Sequence, residues 1–314
     1  MATTIAEAGV RRRLRAYVKL GKLSFYDYYL SALLVWTLLP AGRLHFRTLA
    51  VLVVVSLGWL GVVAATVTFD DVTGYRDGSD ERNYDPAQTQ VRSRERKPLL
   101  DGQLTIAQAL RFGWFALAWS IVLLGITFAV APHPSAWTLA LAALVVVMSV
   151  QYSYGLKLSY HGGQEIVMFL STALTVLVPY GILTGKATGL VLVESYLFGL
   201  WSLLVPLYSN INDEVGDRAA GRRNLMTICP PGLYRAIIAV LSATEVLAVA
   251  AGIVTVRGSA GWFLLLLAPV IAIRIGQVRV GLMQRNPLVA RKLGIKAHRY
   301  GVVLVLVANL LITR

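Results

Sequence analysis

Long apolar runs alternate with short polar segments along most of this chain. Residues 49–69 and 113–130, for example, contain no charged side chain. About 20 consecutive apolar residues form a helix long enough to cross the hydrocarbon core of a bilayer. The pattern therefore predicts an all-α, polytopic membrane protein. The nine predicted spans are 25–41, 48–69, 108–130, 135–151, 164–184, 188–208, 233–256, 260–277 and 298–313.

The predicted spans also show an internal rhythm. One cluster of acidic residues follows the second span and another follows the sixth. Two bundles of four spans plus a ninth helix would place these clusters in equivalent positions, and internal repeats usually enclose a site at their interface. We therefore predict a single domain over 1–314, with two four-helix bundles plus one helix around a central cavity. Long loops are expected at 70–107, 209–232 and 278–297.

The composition excludes an ordinary soluble protein, because 56% of the 314 residues are hydrophobic. The basic N-terminal segment 1–24 is not followed by a short apolar run with a cleavage site, so we expect the first span to be retained. The single cysteine, Cys229, excludes an internal disulfide and a CxxC metal site.

The net charge of +14 does not indicate nucleic-acid binding, because the basic residues lie in the loops between the spans. Lys and Arg accumulate on the cytoplasmic side of membrane proteins. With the N-terminus in the cytoplasm, the cytoplasmic segments hold 25 of the 30 basic residues and the external segments hold five. This asymmetry predicts a cytoplasmic N-terminus, an external C-terminus, and two acidic clusters that open to the cytoplasm.

Eleven of the 16 acidic residues lie in two segments, eight between residues 70 and 101 and three between 213 and 217. Carboxylates gathered at membrane depth need a partner, and a divalent cation is the simplest one. Asp213 and Asp217 are four residues apart and Asn210 precedes Asp213 by three, so a helix would place them on one face. Mg²⁺ often joins one or two such carboxylates to a substrate phosphate. The alternative interpretation is a solvated helix end that happens to be acidic.

Basic residues stand beside both clusters, as they would around a leaving diphosphate. Any single one is better explained by the enrichment of positive charge on the cytoplasmic side. Arg76, Arg218 and Arg222 stand closest to the clusters and, with Asn210, are candidates to contact the diphosphate, whereas Arg96 and Lys157 lie farther along the cytoplasmic loops.

These motifs resemble those of the UbiA superfamily of intramembrane prenyltransferases. Asp70-Asp71 and the Gly78-Ser79-Asp80 ending resemble the first motif of that family, Asn-Asp-x-x-Asp-x-x-x-(Gly-x-)Asp. The segment 210–225 resembles the second motif, Asp-x-x-x-Asp, with its usual continuation DRAAGKRTL. Arg96-Lys97-Pro98-Leu99 resembles a basic-Pro-Leu segment, and 152–165 resembles the loop YTPPLKLKYRGLGE. The match runs from about residue 65 to 235.

The resemblance implies an enzyme that uses Mg²⁺ to ionise a prenyl diphosphate and transfers the prenyl group to an aromatic, quinone-type or other lipophilic acceptor within the bilayer. It assigns the metal to Asp70, Asp80, Asp213 and Asp217, and it implies that Arg96, Lys157 and Arg222 contact the diphosphate. The catalytic carboxylates expected on the same basis are Asp70, Asp71, Asp77, Asp80, Asp213 and Asp217.

One departure from the family pattern stands out, because Gly74 occupies a position where Asp is usual. We predict that Asp70 and Asp77 or Asp80 compensate for it. The altered motif keeps a second enzyme class open, a membrane terpene cyclase that needs no acceptor. The sequence Lys22-Leu23-Ser24-Phe25, which replaces the usual Arg-Pro near the first span, also puts the acceptor end in question. A third possibility, an ion-coupled transporter, fits less well. Transporter sites lie near the bilayer midplane, whereas both acidic clusters lie at the cytoplasmic ends of predicted spans.

Overall fold

The computed structural model describes residues 2–23, 29–43, 45–84, 94–256 and 258–313, and within these ranges it contains helices and no strand. The all-α class is therefore confirmed. The α-helices are α1 (Ala2–Leu20), α2 (Ser31–Leu38), α3 (Phe46–Arg76), α4 (Ser79–Asn83), α5 (Ile106–Val130), α6 (Ala136–Val150), α7 (Gln164–Thr184), α8 (Gly189–Ala219), α9 (Leu225–Ile228), α10 (Pro231–Thr255), α11 (Ala268–Val278) and α12 (Pro287–Thr313).

Seven helical segments in the described ranges are long and apolar enough to cross a membrane: α3, α5, α7, α8, α10, the segment Ala260–Met283 that contains α11, and α12. The apolar helix α6 has 15 residues and α2 has eight. The first predicted span, 25–41, begins outside the described residues. The count of nine spans, and with it the division into two bundles of four plus one, stays a prediction.

The helices pack around two contact regions that meet at α7. Helix α3 runs along α5 and also contacts α6, and α8 runs along α12 and α10. Helix α7 contacts both α6 and α8. Buried apolar side chains fill each region, for example Trp59 and Val178 in the first and Phe198, Trp201 and Val302 in the second. Between these two regions, which come from the two halves of the chain, lies a cavity.

Two helices continue beyond the ends that the hydropathy pattern predicts. The predicted spans 48–69 and 188–208 belong to helices α3 and α8, which end at Arg76 and Ala219. Both acidic clusters thus begin on the last turns of helices rather than in loops. The pattern missed these turns because their polar side chains, such as Asp71 and Asp217, are buried against other helices and not exposed to water.

The predicted loop 278–297 is also largely helical. A π-helical turn occupies Arg279–Met283, and α12 begins at Pro287. Lys and Arg interrupt the apolar pattern here, but both are good helix formers, and proline is well tolerated in the first turn of a helix. The long α12 brings its N-terminal half to the same end of the molecule as the two acidic clusters.

Candidate active site

A cavity of about 360 Å³ lies between α3, α7, α8, α12 and the segment that precedes Pro98. Its wall includes seven of the residues that the sequence predicts for the site: Asp70, Asp80, Arg96, Asn210, Asp213, Asp217 and Arg222. The two acidic clusters, separated by more than a hundred residues in the chain, therefore face one space. This convergence is the structural basis for treating the cavity as one site.

The cavity extends from the carboxylates into the helix bundle. On each of three helices, a lining residue near the polar end and one at the deep end are eleven positions apart, about 16 Å at 1.5 Å per residue. Valine, methionine and proline side chains, interspersed with serine and threonine, line the wall between those ends. The three pairs are Asp70 and Trp59 on α3, Gln164 and Thr175 on α7, and Asp213 and Ser202 on α8.

Lys97 forms the centre of the first acidic cluster. Its Nζ donates to Asp71 Oδ1 at 2.8 Å and to the two oxygens of Asp80 at 2.7 and 2.8 Å. Burial would lower the pKa of Lys97, but the two carboxylates outweigh burial and raise that pKa well above its usual value. Lys22 adds a second, more distant ammonium, 3.7 Å from Asp71 Oδ1. The cluster is thus a buried, charged network.

Gly74 explains how Asp80 reaches this network. A Cβ atom on Gly74 would lie 2.8 Å from Cγ of Asp80, which is closer than real side chains approach. The missing side chain therefore leaves the space that the Asp80 carboxylate occupies. Gly78, with φ of 72°, provides the left-handed turn that glycine adopts readily and that directs α4 back across the end of α3. The predicted compensation by Asp80 for the missing acidic side chain stays a prediction.

Asp70 connects the two halves of the site. Its Oδ1 accepts a hydrogen bond from the Ser153 hydroxyl at 2.6 Å and from Arg222 Nη1 at 3.3 Å. The Arg222 guanidinium also lies over the Tyr160 ring, 5.0 Å from its centroid. Burial would lower the pKa of Arg222, but Asp70 and its other neighbours raise it above its usual value, so the guanidinium stays charged.

Asp77 has a different environment. The Tyr160 hydroxyl donates a short hydrogen bond to its Oδ2, and the backbone N–H of Ser79 donates to Oδ1 at 2.9 Å. Burial would raise the pKa of Asp77, but these hydrogen bonds lower it overall. The Asp77 carboxylate thereby holds the turn between α3 and α4 and fixes the Tyr160 ring beneath Arg222.

Neutral amide groups contact the second acidic cluster. Asp217 accepts from Nδ2 of Asn224 at 2.8 Å and from Nδ2 of Asn83 at 3.4 Å, and Asp213 accepts from Nδ2 of Asn212 at 3.1 Å. Asn83 belongs to α4 and packs directly on Gly216, where a Cβ would lie 1.9 Å from Asn83 Oδ1. Helix α4 therefore bridges the two clusters.

Five predicted site residues do not line the cavity. Asp71 and Asp77 lie directly behind it, in the contacts described above. Arg76 is exposed at the end of α3, and Lys157 is exposed, with its ammonium over the Tyr160 ring at 5.3 Å. Arg218 pairs with Glu214 on the surface at 3.0 Å. The functional roles assigned to all five stay predictions.

Sequence reasoning overlooked several polar residues that the fold brings to the site. Lys97 had a signal, because it directly precedes Pro98 in the basic-Pro-Leu segment, yet Arg96 was favoured. Lys22 lines the cavity, whereas Ser24 and Phe25 lie outside the described residues. Asn83 and Asn224 carry no local pattern that distinguishes them. Their contacts depend on α4 and α9 folding back onto α8.

The described residues contain no group of three or more His, Cys, Asp or Glu side chains arranged to hold a metal ion without help. The residue types nevertheless suit Mg²⁺, because Asp213, Asp217 and Asn210 all line the cavity and carry carboxylate or amide oxygens. Mg²⁺ is usually bound by one or two carboxylates plus substrate phosphates and water. Such a half-built site fits an ion that arrives with a diphosphate.

Comparison with known proteins decides the family. The model of the UbiA prenyltransferase family matches residues 29–307. The chain belongs to the UbiA prenyltransferase family. No curated protein matches the chain with significant similarity.

Solved structures of UbiA homologues share the fold. A structure of a digeranylgeranylglyceryl phosphate synthase superposes with a TM-score of 0.63 at 16% identity, over 95% of this chain and 99% of that chain. A UbiA homologue from Archaeoglobus fulgidus bound to DMAPP and Mg²⁺ gives 0.62 at 14% identity, over 92% and 98%. The apo structure of a homologue from Aeropyrum pernix K1 gives 0.61 at 16%, over 94% and 96%.

UbiA family membership, together with seven apolar helices, makes this chain an integral membrane protein. The predicted family is confirmed. The orientation of the termini and the opening of the cavity toward the cytoplasm stay predictions.

Proposed function

We propose that the protein is a Mg²⁺-dependent intramembrane prenyltransferase that ionises a prenyl diphosphate and transfers the prenyl group to a lipophilic acceptor. The observation that carries this proposal is the cavity itself. It joins two acidic clusters at one end to a channel about 16 Å long within the helix bundle, whose wall combines valine, methionine and proline with serine and threonine side chains. A substrate with a diphosphate head and a hydrocarbon tail has the matching distribution of polarity.

The diphosphate head fits the polar end of the cavity. Arg222 and Arg96 line this end and supply cationic donors, and Arg222 is oriented by Asp70 and Tyr160. Arginine binds phosphate oxygens in a bidentate manner. Mg²⁺, when bound by the carboxylates together with the diphosphate, neutralises charge on the leaving oxygens. UbiA homologues with DMAPP or GPP and Mg²⁺ bound support this assignment.

The reaction that this arrangement serves is a substitution at the allylic carbon. The bond between that carbon and the diphosphate oxygen breaks, and its electron pair leaves with the oxygen. The allylic carbon then bonds to a nucleophilic carbon of the acceptor, which loses a proton. Charge that develops on the leaving group is stabilised by positioned cationic donors in a site with little water. Tyr152 lines the cavity next to Ser153, whose hydroxyl bonds Asp70, and an aromatic ring at this end of the cavity would stabilise the cation.

The cyclase alternative has a specific observation behind it, the replacement of an acidic residue by Gly74 in the first motif. In that reaction the allylic cation is captured by a double bond of its own chain. Membership of a prenyltransferase family favours transfer over the transporter alternative.

The test is product analysis by mass spectrometry. Membranes that contain the protein are given geranyl, farnesyl, geranylgeranyl or longer diphosphates with Mg²⁺, first alone and then with aromatic or quinone precursors. We expect a prenylated product and diphosphate release only with an acceptor. A cyclised hydrocarbon or alcohol formed without an acceptor would instead establish the cyclase.

The variant Asp213→Asn serves as the test of the site, with Glu214→Gln as its matched control. Glu214 adjoins Asp213 but pairs with Arg218 outside the cavity. We expect Asp213→Asn to reduce turnover by about 10²-fold or more and Glu214→Gln to retain it. Equal loss in both variants, or full activity in Asp213→Asn, would contradict the proposed site.

A further inference from the structure

We propose that Lys97 is the resident cation of the first acidic cluster, so that Asp71 and Asp80 bind an ammonium group here and the divalent metal is held on the side of Asp213 and Asp217. This inference rests on the proposed function and narrows its metal site. It reassigns Asp80, which the family resemblance places among the metal ligands, and adds Lys97 as a positioning residue.

The first argument is the hydrogen bonding of the ammonium group. A lysine ammonium has three donors and no acceptor. Three carboxylate oxygens lie within 2.8 Å of Lys97 Nζ, one from Asp71 and two from Asp80. The hydrogen-bond acceptors of the Lys97 ammonium therefore belong to Asp71 and Asp80 of this cluster. The Lys97 ammonium occupies the position between two carboxylates that a bound metal would otherwise share.

The second argument is burial. Lys97, Asp71 and Asp80 are 6%, 1% and 8% exposed, so water screens their charges poorly. A divalent ion that joined this cluster would meet the fixed charge of Lys97 at close range. Oδ2 of Asp71 is buried and accepts no hydrogen bond within the described structure, but Asp71 does not line the cavity.

The third argument is that the change at position 74 and the position of Lys97 are structurally connected. Asp80 reaches Lys97 through the space that a side chain at position 74 would occupy. An acidic side chain there would compete with Asp80 for that space. Gly74 and the ion triad of Lys97 with Asp71 and Asp80 thus form one arrangement.

The hydrogen bonds of Asp217 are of a different kind. The hydrogen-bond donors that contact Asp217 are the neutral amides of Asn83 and Asn224. Asp213 and Asp217 both line the cavity, and Asn210 lies beside them. Neutral amides can reorient or yield to a metal without moving a fixed charge. The metal therefore has carboxylates that face the substrate on this side.

The experiment counts Mn²⁺ bound by the full chain, purified in detergent, through the electron paramagnetic resonance signal of free Mn²⁺, with and without inorganic diphosphate. The variants are Asp80→Asn and Asp213→Asn, and Glu81→Gln serves as the matched control, because Glu81 adjoins Asp80 on the surface. We expect Asp213→Asn to weaken Mn²⁺ binding about tenfold or more. We expect Asp80→Asn and Glu81→Gln to bind as many Mn²⁺ ions as the unaltered protein.

A second arm uses Lys97→Met. Without the ammonium, the two buried carboxylates repel each other, and Mn²⁺ becomes their natural partner. We expect this variant to unfold at a lower temperature without metal, to recover when Mn²⁺ is added, and to bind one Mn²⁺ more than the unaltered protein. If Lys97→Met does not fold, the comparison of Mn²⁺ binding by Asp80→Asn and by Asp213→Asn tests the role of Lys97 without it.

The outcomes separate the two levels of the proposal. If Asp80→Asn loses Mn²⁺ to the same extent as Asp213→Asn, or if folded Lys97→Met gains none, the role of Lys97 is overturned while the prenyltransferase proposal stands. If the unaltered protein binds no Mn²⁺ even with diphosphate, the metal-dependent function falls, and this inference with it.

Discussion

At the scale of single residues, the site depends on pairs that hold charge in fixed positions. Arg222 illustrates this, because its guanidinium contacts Asp70, lies over the Tyr160 ring and faces the cavity. Each of these contacts uses the planar shape of the guanidinium as well as its charge. A lysine at this position would keep the charge and lose the shape.

We therefore predict that Arg222→Lys lowers kcat/KM for the prenyl diphosphate by about 10- to 100-fold, equivalent to roughly 1.5–3 kcal/mol for hydrogen bonds to a charged group. The neighbouring substitution Arg223→Lys is the control, since Arg223 is exposed and does not line the cavity. Steady-state kinetics with diphosphate release as the signal provides the measurement. Equal values of kcat/KM in the two variants would show that Arg222 does not bind the diphosphate.

Gly74 gives a second prediction at this scale. A methyl group there would overlap the Asp80 carboxylate, so Gly74→Ala should destabilise the protein by about 1–3 kcal/mol through overpacking. Gly125→Ala is the control, because a Cβ at that position meets nothing within 4 Å and alanine favours helix. Thermal unfolding in detergent should show a lower Tm for the first variant only. An unchanged Tm in both would mean that Asp80 can move away freely.

At the scale of elements, hydropathy predicted the helices well and their polar ends badly. The apolar cores of α3, α7, α8 and α10 lie where the pattern placed them. The last turns of α3 and α8 were not predicted as helix. Hydropathy along the sequence does not distinguish a polar residue exposed to water from one buried against another helix. Helix α4 is five residues long, and no periodicity is visible over so short a segment, although α4 bridges the two clusters.

The deep end of the cavity gives a prediction that belongs to α8. Ser202 lies about 16 Å from Asp213 along that helix and lines the cavity, so a larger side chain there should shorten the available channel. We predict that Ser202→Phe shifts the preferred donor toward a shorter prenyl chain, whereas Ser202→Ala keeps the original preference. Competition between diphosphates of different length, analysed by product mass, tests this. An unchanged preference in Ser202→Phe would place the hydrocarbon tail elsewhere.

At the scale of the whole molecule, the two acidic clusters were found from sequence, but their meeting was an inference from the repeat pattern. The structure brings Asp70, Asp80, Asp213 and Asp217 to one cavity. The partners of these carboxylates could not be read from the chain, because Lys97, Asn83 and Asn224 reach them only through the tertiary fold. The distribution of Lys and Arg among the loops predicts the orientation of the chain in the membrane. The packing of the helices carries no information about that orientation.

Orientation is open to a direct measurement. Replacing Cys229 by serine leaves no cysteine, so single cysteines can then be introduced at exposed turns. We predict that Pro134→Cys is labelled by a membrane-impermeant maleimide on intact cells, and that Gln284→Cys is labelled only after the cells are opened. The opposite pattern would reverse the topology and place both acidic clusters outside.

The contact between Asp70 and Arg222 spans 152 positions of the chain. During synthesis, the helix that carries Asp70 enters the bilayer long before the ribosome reaches Arg222. The mouth of the cavity therefore cannot exist in either half of the polypeptide alone. Two separately produced fragments would have to find each other within the lipid before any substrate head group could be held.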